Sequence, residues 1–170
     1  MARKFAFHQI LVLGTTALAV SLFAALASTV SKPASLALPT PVLYPTIGKA
    51  GAKVEVLVFE DFRCSGCRKF HETVFPALFS RYVESGIVRC TFVPLGFLEG
   101  SKPLANAAMA VYKLSPERFT EYTSALFKHF ERGPIDASTD AILLEIAAHV
   151  GGIDLARLQE SIATKRYYEE

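Results

Sequence analysis

Three rhythms of apolar and polar residues divide this chain. From Ile10 to Ala27 the side chains are apolar almost without a break over 18 residues, ILVLGTTALAVSLFAALA. Residues 28–47 lose that character and carry Pro33, Pro39, Pro41 and Pro45. Proline at this density builds neither a helix nor an interior strand, so an extended tether is expected there. The pattern then becomes that of a folded domain. Val54 to Phe59, VEVLVF, is a short apolar run with β-branched residues, the signature of a strand buried on both faces. Cys67, Phe70, Val74, Leu78 and Tyr82 recur at spacings of three and four. That predicts a helix from Ser65 to about Glu84 with this stripe facing inward. Pro76 lies inside it and should kink it, and Gly86 should end it. Ile87 to Val93, IVRCTFV, reads as a second strand.

Strand, helix and strand within about 40 residues predict parallel strands joined by a right-handed crossover. Beyond Pro94 the periodicity is helical. Helices are expected over 101–113, 116–130, 138–150 and 154–167. Ser115-Pro116 and Ser138 suit helix starts, and Gly133-Pro134 and Gly151-Gly152 suit breaks.

Composition matters first at the N-terminus. The chain has 170 residues, enough for one ordinary domain, and is 51% hydrophobic but only 20% charged. The long apolar run accounts for much of that imbalance. Arg3 and Lys4 precede it, and Ala25-Leu26-Ala27 ends it with small residues. This is the layout of a secretory signal peptide, with an uncleaved membrane anchor as the competing reading. Gly14, Thr15, Thr16 and Ser21 weaken the run as a permanent span, which favours cleavage near Ala27. Without residues 1–27, the 16 basic side chains balance the 16 acidic ones. No basic cluster with interleaved aromatics is present, so nucleic-acid binding is not expected.

Export changes what cysteine means. Disulfides persist outside the cytosol, and the chain has three cysteines, Cys64, Cys67 and Cys90. Cys64 and Cys67 stand three apart where the first strand gives way to the helix, a place where α/β folds put reactive groups. The start of a helix offers free N–H groups and a partial positive charge, which favour a thiolate. Cys64 gains most from them, and Cys67, one turn further in, is more sheltered. The expected roles follow: Cys64 attacks or is attacked, and Cys67 resolves the mixed disulfide. Two inert buried thiols are a competing reading, as is half of a metal site. The latter lacks a second closely spaced ligand pair, with Cys90 and His71 as the nearest candidates. Cys90, mid-strand on a face with Val88 and Phe92, reads as a buried free thiol. His71, His129 and His149 sit in no motif and are read as surface or helix-packing residues. Glu60 and Asp61 leave two readings open, a carboxylate that helps move the proton of Cys67 or a solvated loop acid.

The stretch VEVLVFEDFRCSGCRKFHETVFPALFSRYVESGIVRCTFVPL resembles the opening of DsbA-like thiol:disulfide oxidoreductases, thioredoxin-fold proteins with an inserted helical domain. The resemblance is carried by the strand, Asp61-Phe62, the CxxC and the helix with Phe75-Pro76. It continues through LANAAMAVYKLSPERFTEYTSALF to GGIDLARLQESI, so it spans roughly residues 48–167. It implies an α/β fold with a thioredoxin-like βαβ core over 48–95 and a helical domain over 96–170. It also implies a periplasmic or otherwise exported protein-disulfide oxidoreductase with Cys64 and Cys67 as the catalytic pair. No cofactor and no metal are implied. Its partners would be substrate proteins with thiols or disulfides, and a membrane redox partner.

Two departures qualify that expectation. Ser65-Gly66 stands between the cysteines, where the most oxidising members carry a histidine, so a less oxidising disulfide is expected. No Thr-Pro pair follows the CxxC, so the family's cis-proline loop and the last part of the thioredoxin sheet are expected to be missing. Strand 54–59 would then have an open edge. That loop also offers hydrogen bonds to substrate and helps keep metals off the cysteines. The chain therefore reads as a shortened or degenerate member. The alternative function is a non-catalytic truncated thioredoxin-like protein or a periplasmic metal-binding module.

Overall fold

The computed structural model describes residues 44–130, 135–136 and 138–168. The expected signal peptide or anchor and most of the proline-rich linker lie outside the described residues. The linker's last residues do not act as a tether. Thr46–Ile47 forms a short strand, β1, antiparallel to the strand that contains Thr91 and Cys90. The Pro45 carbonyl accepts a hydrogen bond from Phe92 N–H at 2.7 Å. Proline lacks only the donor, so it can still open an edge strand as an acceptor.

β2 is Val54–Glu60 and β3 is Val88–Pro94. They pair in parallel, Val54 opposite Val88 through Glu60 opposite Pro94, and the sheet order is β1-β3-β2. β3 is central. Its Val88, Cys90 and Phe92 are buried, Cys90 and Phe92 completely. β2 departs from the expectation of a strand buried on both faces. It is an edge strand, and Val54 and Phe59 are 48% and 54% exposed. Among the described residues nothing pairs with its outer edge. A continuous apolar run reports that a strand can be covered on both faces, not that a second layer is there to cover it.

The connection from β2 to β3 is one helix, α1, over residues 65–83. It alternates α-helical segments (Ser65–Lys69 and Phe75–Leu78) with π-helical ones (Phe70–Val74 and Phe79–Val83). Pro76 sits at the start of the second α segment, just after a wide π turn that leaves room for a residue without an N–H. The π turns also move the buried face. The expected stripe fails at Val74 and Tyr82, which are 51% and 45% exposed. His71, Phe75 and Val83 are buried instead, with Phe79 packed against the core. α turns of 3.6 residues mixed with wider π turns average about four residues per turn. Steps of four therefore stay on one side. Gly86, at φ +82°, ends the helix as expected.

The helical part consists of α2 (Lys102–Leu114), α3 (Phe119–Phe130, entered through a 3₁₀ turn at Pro116–Arg118), α4 (Thr139–Val150) and α5 (Leu155–Ala163). α2 is buried between the others, and its Ala107, Ala108 and Ala110 let neighbours approach closely. α5 stops short of the expected residue 167. Lys165 at φ +52° turns the chain, while Lys165 and Arg166 N–H bond back to Ile162 and Ser161 carbonyls, a Schellman ending. One buried cluster runs from Val88 and Phe92 through Phe62 and Phe127 to Leu143 and Leu158. No helix among the described residues is long and apolar enough to cross a membrane.

Candidate functional site

Cys64 is the N-cap of α1, in extended backbone (φ −84°, ψ 116°), and its sulfur accepts the Cys67 N–H at 3.5 Å. A cysteine has taken the place normally held by Ser, Thr, Asp or Asn, and it uses its sulfur as they use oxygen. The first turn carries no acidic residue, and Arg68 and Lys69 follow. No first-turn acid therefore opposes the N–H groups that face Cys64. Hydrogen bonding from the Cys67 backbone, and then from the Cys67 thiol, holds the Cys64 thiol below the ordinary cysteine range, against burial and the nearby Asp61 charge. Burial pushes the Cys67 thiol up to about 11. The neighbouring Cys64 and the Glu60 charge act in the same direction, and a hydrogen bond to the Asp61 backbone acts against them. Both thiols are free and half-buried. Cys64 ionises more readily than an ordinary cysteine and is the better placed to attack a disulfide, while Cys67 holds its proton more tightly. Cys90 is also free, fully buried in β3, with its thiol pushed up by burial.

The two acids before the motif are neither solvated nor alike. Asp61, 0% exposed, is a bracket for the chain that follows β3. Its Oδ1 accepts Arg63 N–H at 2.9 Å. Its Oδ2 accepts Phe97 N–H and Leu98 N–H, each at 3.1 Å, and the Ser101 hydroxyl at 2.7 Å. This fastens the entry to α2 onto the turn that presents Cys64. Glu60, 1% exposed, ends β2 on the face toward α1. Its Oε2 is bonded to His71 Nε2 at 2.5 Å, and burial raises its carboxyl above the usual range despite that bond.

His71 is the residue that motif-reading missed. It does pack, as expected of a helix histidine, among the rings of Phe75, Phe92 and Phe127, with centroids at 5.5, 5.7 and 4.7 Å. It also carries a buried ionisable bond into the site. The available signal was its spacing of four from Cys67, beneath an acid at the strand end. His129 and His149 lie exposed on α3 and α4. A groove of about 400 Å³ runs along the open side of β2 and reaches both sulfurs, lined by Val56, Val58, Phe59, Glu60 and Phe70 besides the cysteines. Among the described residues no three His, Cys, Asp or Glu side chains are grouped to hold a metal ion.

A family model described as thioredoxin matches residues 42–169, and the chain belongs to that family. It is similar to the disulfide bond formation protein D of Bacillus subtilis (strain 168), 29% identical over 119 residues, which cover 69% of this chain and 54% of that protein. It is also similar to the probable disulfide bond formation protein D of Bacillus anthracis, 28% identical over 127 residues, 74% of this chain and 58% of the other. The chain thus spans a little over half the length of these relatives. Among solved structures, oxidised BdbD from Bacillus subtilis superposes with a TM-score of 0.66 at 27% identity, covering 73% of this chain and 68% of that one. Chlamydia trachomatis DsbA gives a TM-score of 0.67 at 29% identity, covering 76% and 70%. The fold is thioredoxin-like, a small sheet with several helices, as the resemblance implied.

Proposed function

We propose that this member of the thioredoxin family is an exported protein-disulfide oxidoreductase whose redox pair is Cys64 and Cys67. The observation that carries the reading is the split in acidity between two sulfurs one helical turn apart, at the mouth of a shared groove. A low thiol at Cys64 makes it both the better leaving group and the better nucleophile near neutral pH. In the oxidising direction a substrate thiolate attacks Cys64 Sγ in the Cys64–Cys67 disulfide. The S–S bond breaks, Cys67 leaves as a thiolate and takes a proton, and a mixed disulfide stands at Cys64. A second substrate thiolate attacks the substrate sulfur of that bond and releases Cys64 as a thiolate. The substrate has lost two electrons and the pair has gained them. In reverse, the same steps reduce a substrate disulfide. The names of the relatives support the disulfide-forming direction.

Export is read from Arg3, Lys4, the apolar run and Ala25-Leu26-Ala27. A membrane redox partner would then return the pair to its starting state, since the chain needs an electron acceptor or donor after each turnover. The test is to mix the oxidised protein with a reduced, unfolded substrate beside a Cys64→Ser variant. Disulfide formation should vanish in the variant, and Cys67→Ser should accumulate mixed disulfides at Cys64. Equal, negligible rates in wild type and Cys64→Ser would end the proposal. Mixed disulfides accumulating in Cys64→Ser instead would reverse the two roles.

A further inference from the structure

The pairing of β2 with β3 fixes which backbone groups of this edge strand are left over. Val54 N–H donates to the Ile87 carbonyl at 3.2 Å, and the Glu60 carbonyl accepts Leu95 N–H at 2.6 Å. The even-numbered residues thus use their N–H and C=O groups on the β3 side, and those of Glu55, Leu57 and Phe59 point outward. The ladder runs without a bulge from Val54 opposite Val88 to Glu60 opposite Pro94. The strand contains no lysine and no proline. Bulges, lysines and prolines commonly keep an edge from pairing with another chain, and β2 has none of the three. Its exposed charge, Glu55, is already held by Arg89 and Thr91, each at 3.0 Å.

We propose that two copies of this chain pair along β2, antiparallel about a two-fold axis at Leu57, so that the sheet β1-β3-β2 of one copy continues into β2-β3-β1 of the other. The outward groups lie symmetrically about Leu57, as a two-fold contact requires. Leu57 faces Leu57 of the second copy, and Glu55 and Phe59 face Phe59 and Glu55 of the second copy. Each of these pairs exchanges two backbone hydrogen bonds. Phe59, 54% exposed in one copy, gains cover. On the face toward α1, Val56 and Val58 meet Val58 and Val56 of the second copy. No like charges stand opposite each other. Sliding the second strand by two residues either sets Glu55 opposite Asp61 or brings the two Glu55 side chains onto neighbouring diagonal positions, so the charges select the register. Without residues 1–27 the 16 basic side chains balance the 16 acidic ones, and no net charge drives the copies apart.

The added strand stands about 4.8 Å from β2. It lies in the groove lined by Val56, Val58, Phe59 and both cysteines. The dimer therefore excludes an extended substrate segment from that groove. This consequence rests on the oxidoreductase reading; the pairing does not.

Sedimentation of the full chain, kept in solution by a mild detergent, tests the pairing. The wild type should pass from one copy to two as concentration rises. Leu57→Lys sets two ammonium groups opposite each other at the axis and should weaken association roughly tenfold or more. A wild type that stays a single copy at every concentration overturns the proposal, the outcome expected if the edge serves only substrate strands. A dimer that Leu57→Lys leaves intact is held by another surface and overturns it too. Should that variant not fold, cross-linking decides. In a Cys64→Ser, Cys67→Ser background, Leu57→Cys puts two thiols on residues about 5.5 Å apart across the axis, within disulfide reach. Mild oxidation should link the copies. Glu55→Cys, whose two positions lie about 14 Å apart along the strands, should not link. Equal linking at both positions, or none at Leu57→Cys, overturns the pairing. A rate of substrate oxidation per chain that falls as the wild type dimerises supports the filled groove, and a constant rate overturns that consequence. Negligible rates at every concentration, beside copies that link through Leu57→Cys, would instead be the failure of the oxidoreductase reading alone.

Discussion

Replacing Asp61 with Asn tests how the candidate site is held together. The carboxylate is fully buried and receives four donors, three of them on Oδ2. The amide keeps the shape but has one oxygen. Its best orientation leaves that oxygen facing Phe97 N–H, Leu98 N–H and the Ser101 hydroxyl, and turns the NH₂ against Arg63 N–H. Hydrogen bonds to a charged acceptor contribute about 1.5–3 kcal/mol each and neutral ones about 0.5–1.5, so three bonds lose about 1 kcal/mol apiece. The Arg63 N–H, now facing a donor, adds about 1–3 kcal/mol. The amide is cheaper to bury than the carboxylate, which offsets part of this. The expected net cost is about 2–4 kcal/mol, a large share of the stability of a small domain. Urea unfolding of the reduced protein, followed by far-ultraviolet circular dichroism, should show the midpoint falling by about 1–2 M. Ser101→Ala, which removes one donor, should cost about 1 kcal/mol. If Asp61→Asn costs no more than Ser101→Ala, the carboxylate does not fasten the segment after β3 to the Cys64 turn, and the reasoning fails.

Iodoacetamide pulses read by mass spectrometry should modify Cys64 with a pH midpoint below the value of about 8.5 for a free cysteine, and leave Cys67 untouched to far higher pH. The sign follows from the shifts: a lowered thiol has more thiolate at any given pH, a raised one less. A Cys64 midpoint at or above 8.5 contradicts the N-cap electrostatics. Gly48→Ala should cost about 1–3 kcal/mol in the same urea assay, because Gly48 is at φ +113° and a Cβ would sit 2.8 Å from the Val88 carbonyl oxygen. Gly51→Ala meets nothing within 4 Å and should be neutral within about 1 kcal/mol; equal costs at both positions would refute the steric account. Phe127→Ala should cost about 3–5 kcal/mol, since the ring is 1% exposed and packs on Phe62 and His71 with centroids at 5.0 and 4.7 Å. A loss below about 1 kcal/mol would mean that α3 does not wedge against the site.

The local features were legible in the residues alone. The strand-to-helix junction, the helix N-terminus under Cys64 and the four later helices follow from spacing within a few turns, because backbone hydrogen bonds and side-chain periods act over short stretches. What depended on distant partners was not legible. The buried face of α1 moved to His71 and Phe75 because π turns changed its pitch. Thr46–Ile47 left the tether because β3 offered it an edge. Asp61 became a bracket through donors 36 to 40 residues away. Glu60 met His71 only because the fold brings the end of β2 against the second turn of α1. An acid's type is written in the chain, but its charge, burial and use are decided by what tertiary packing places over it, since desolvation and pairing are properties of the surroundings.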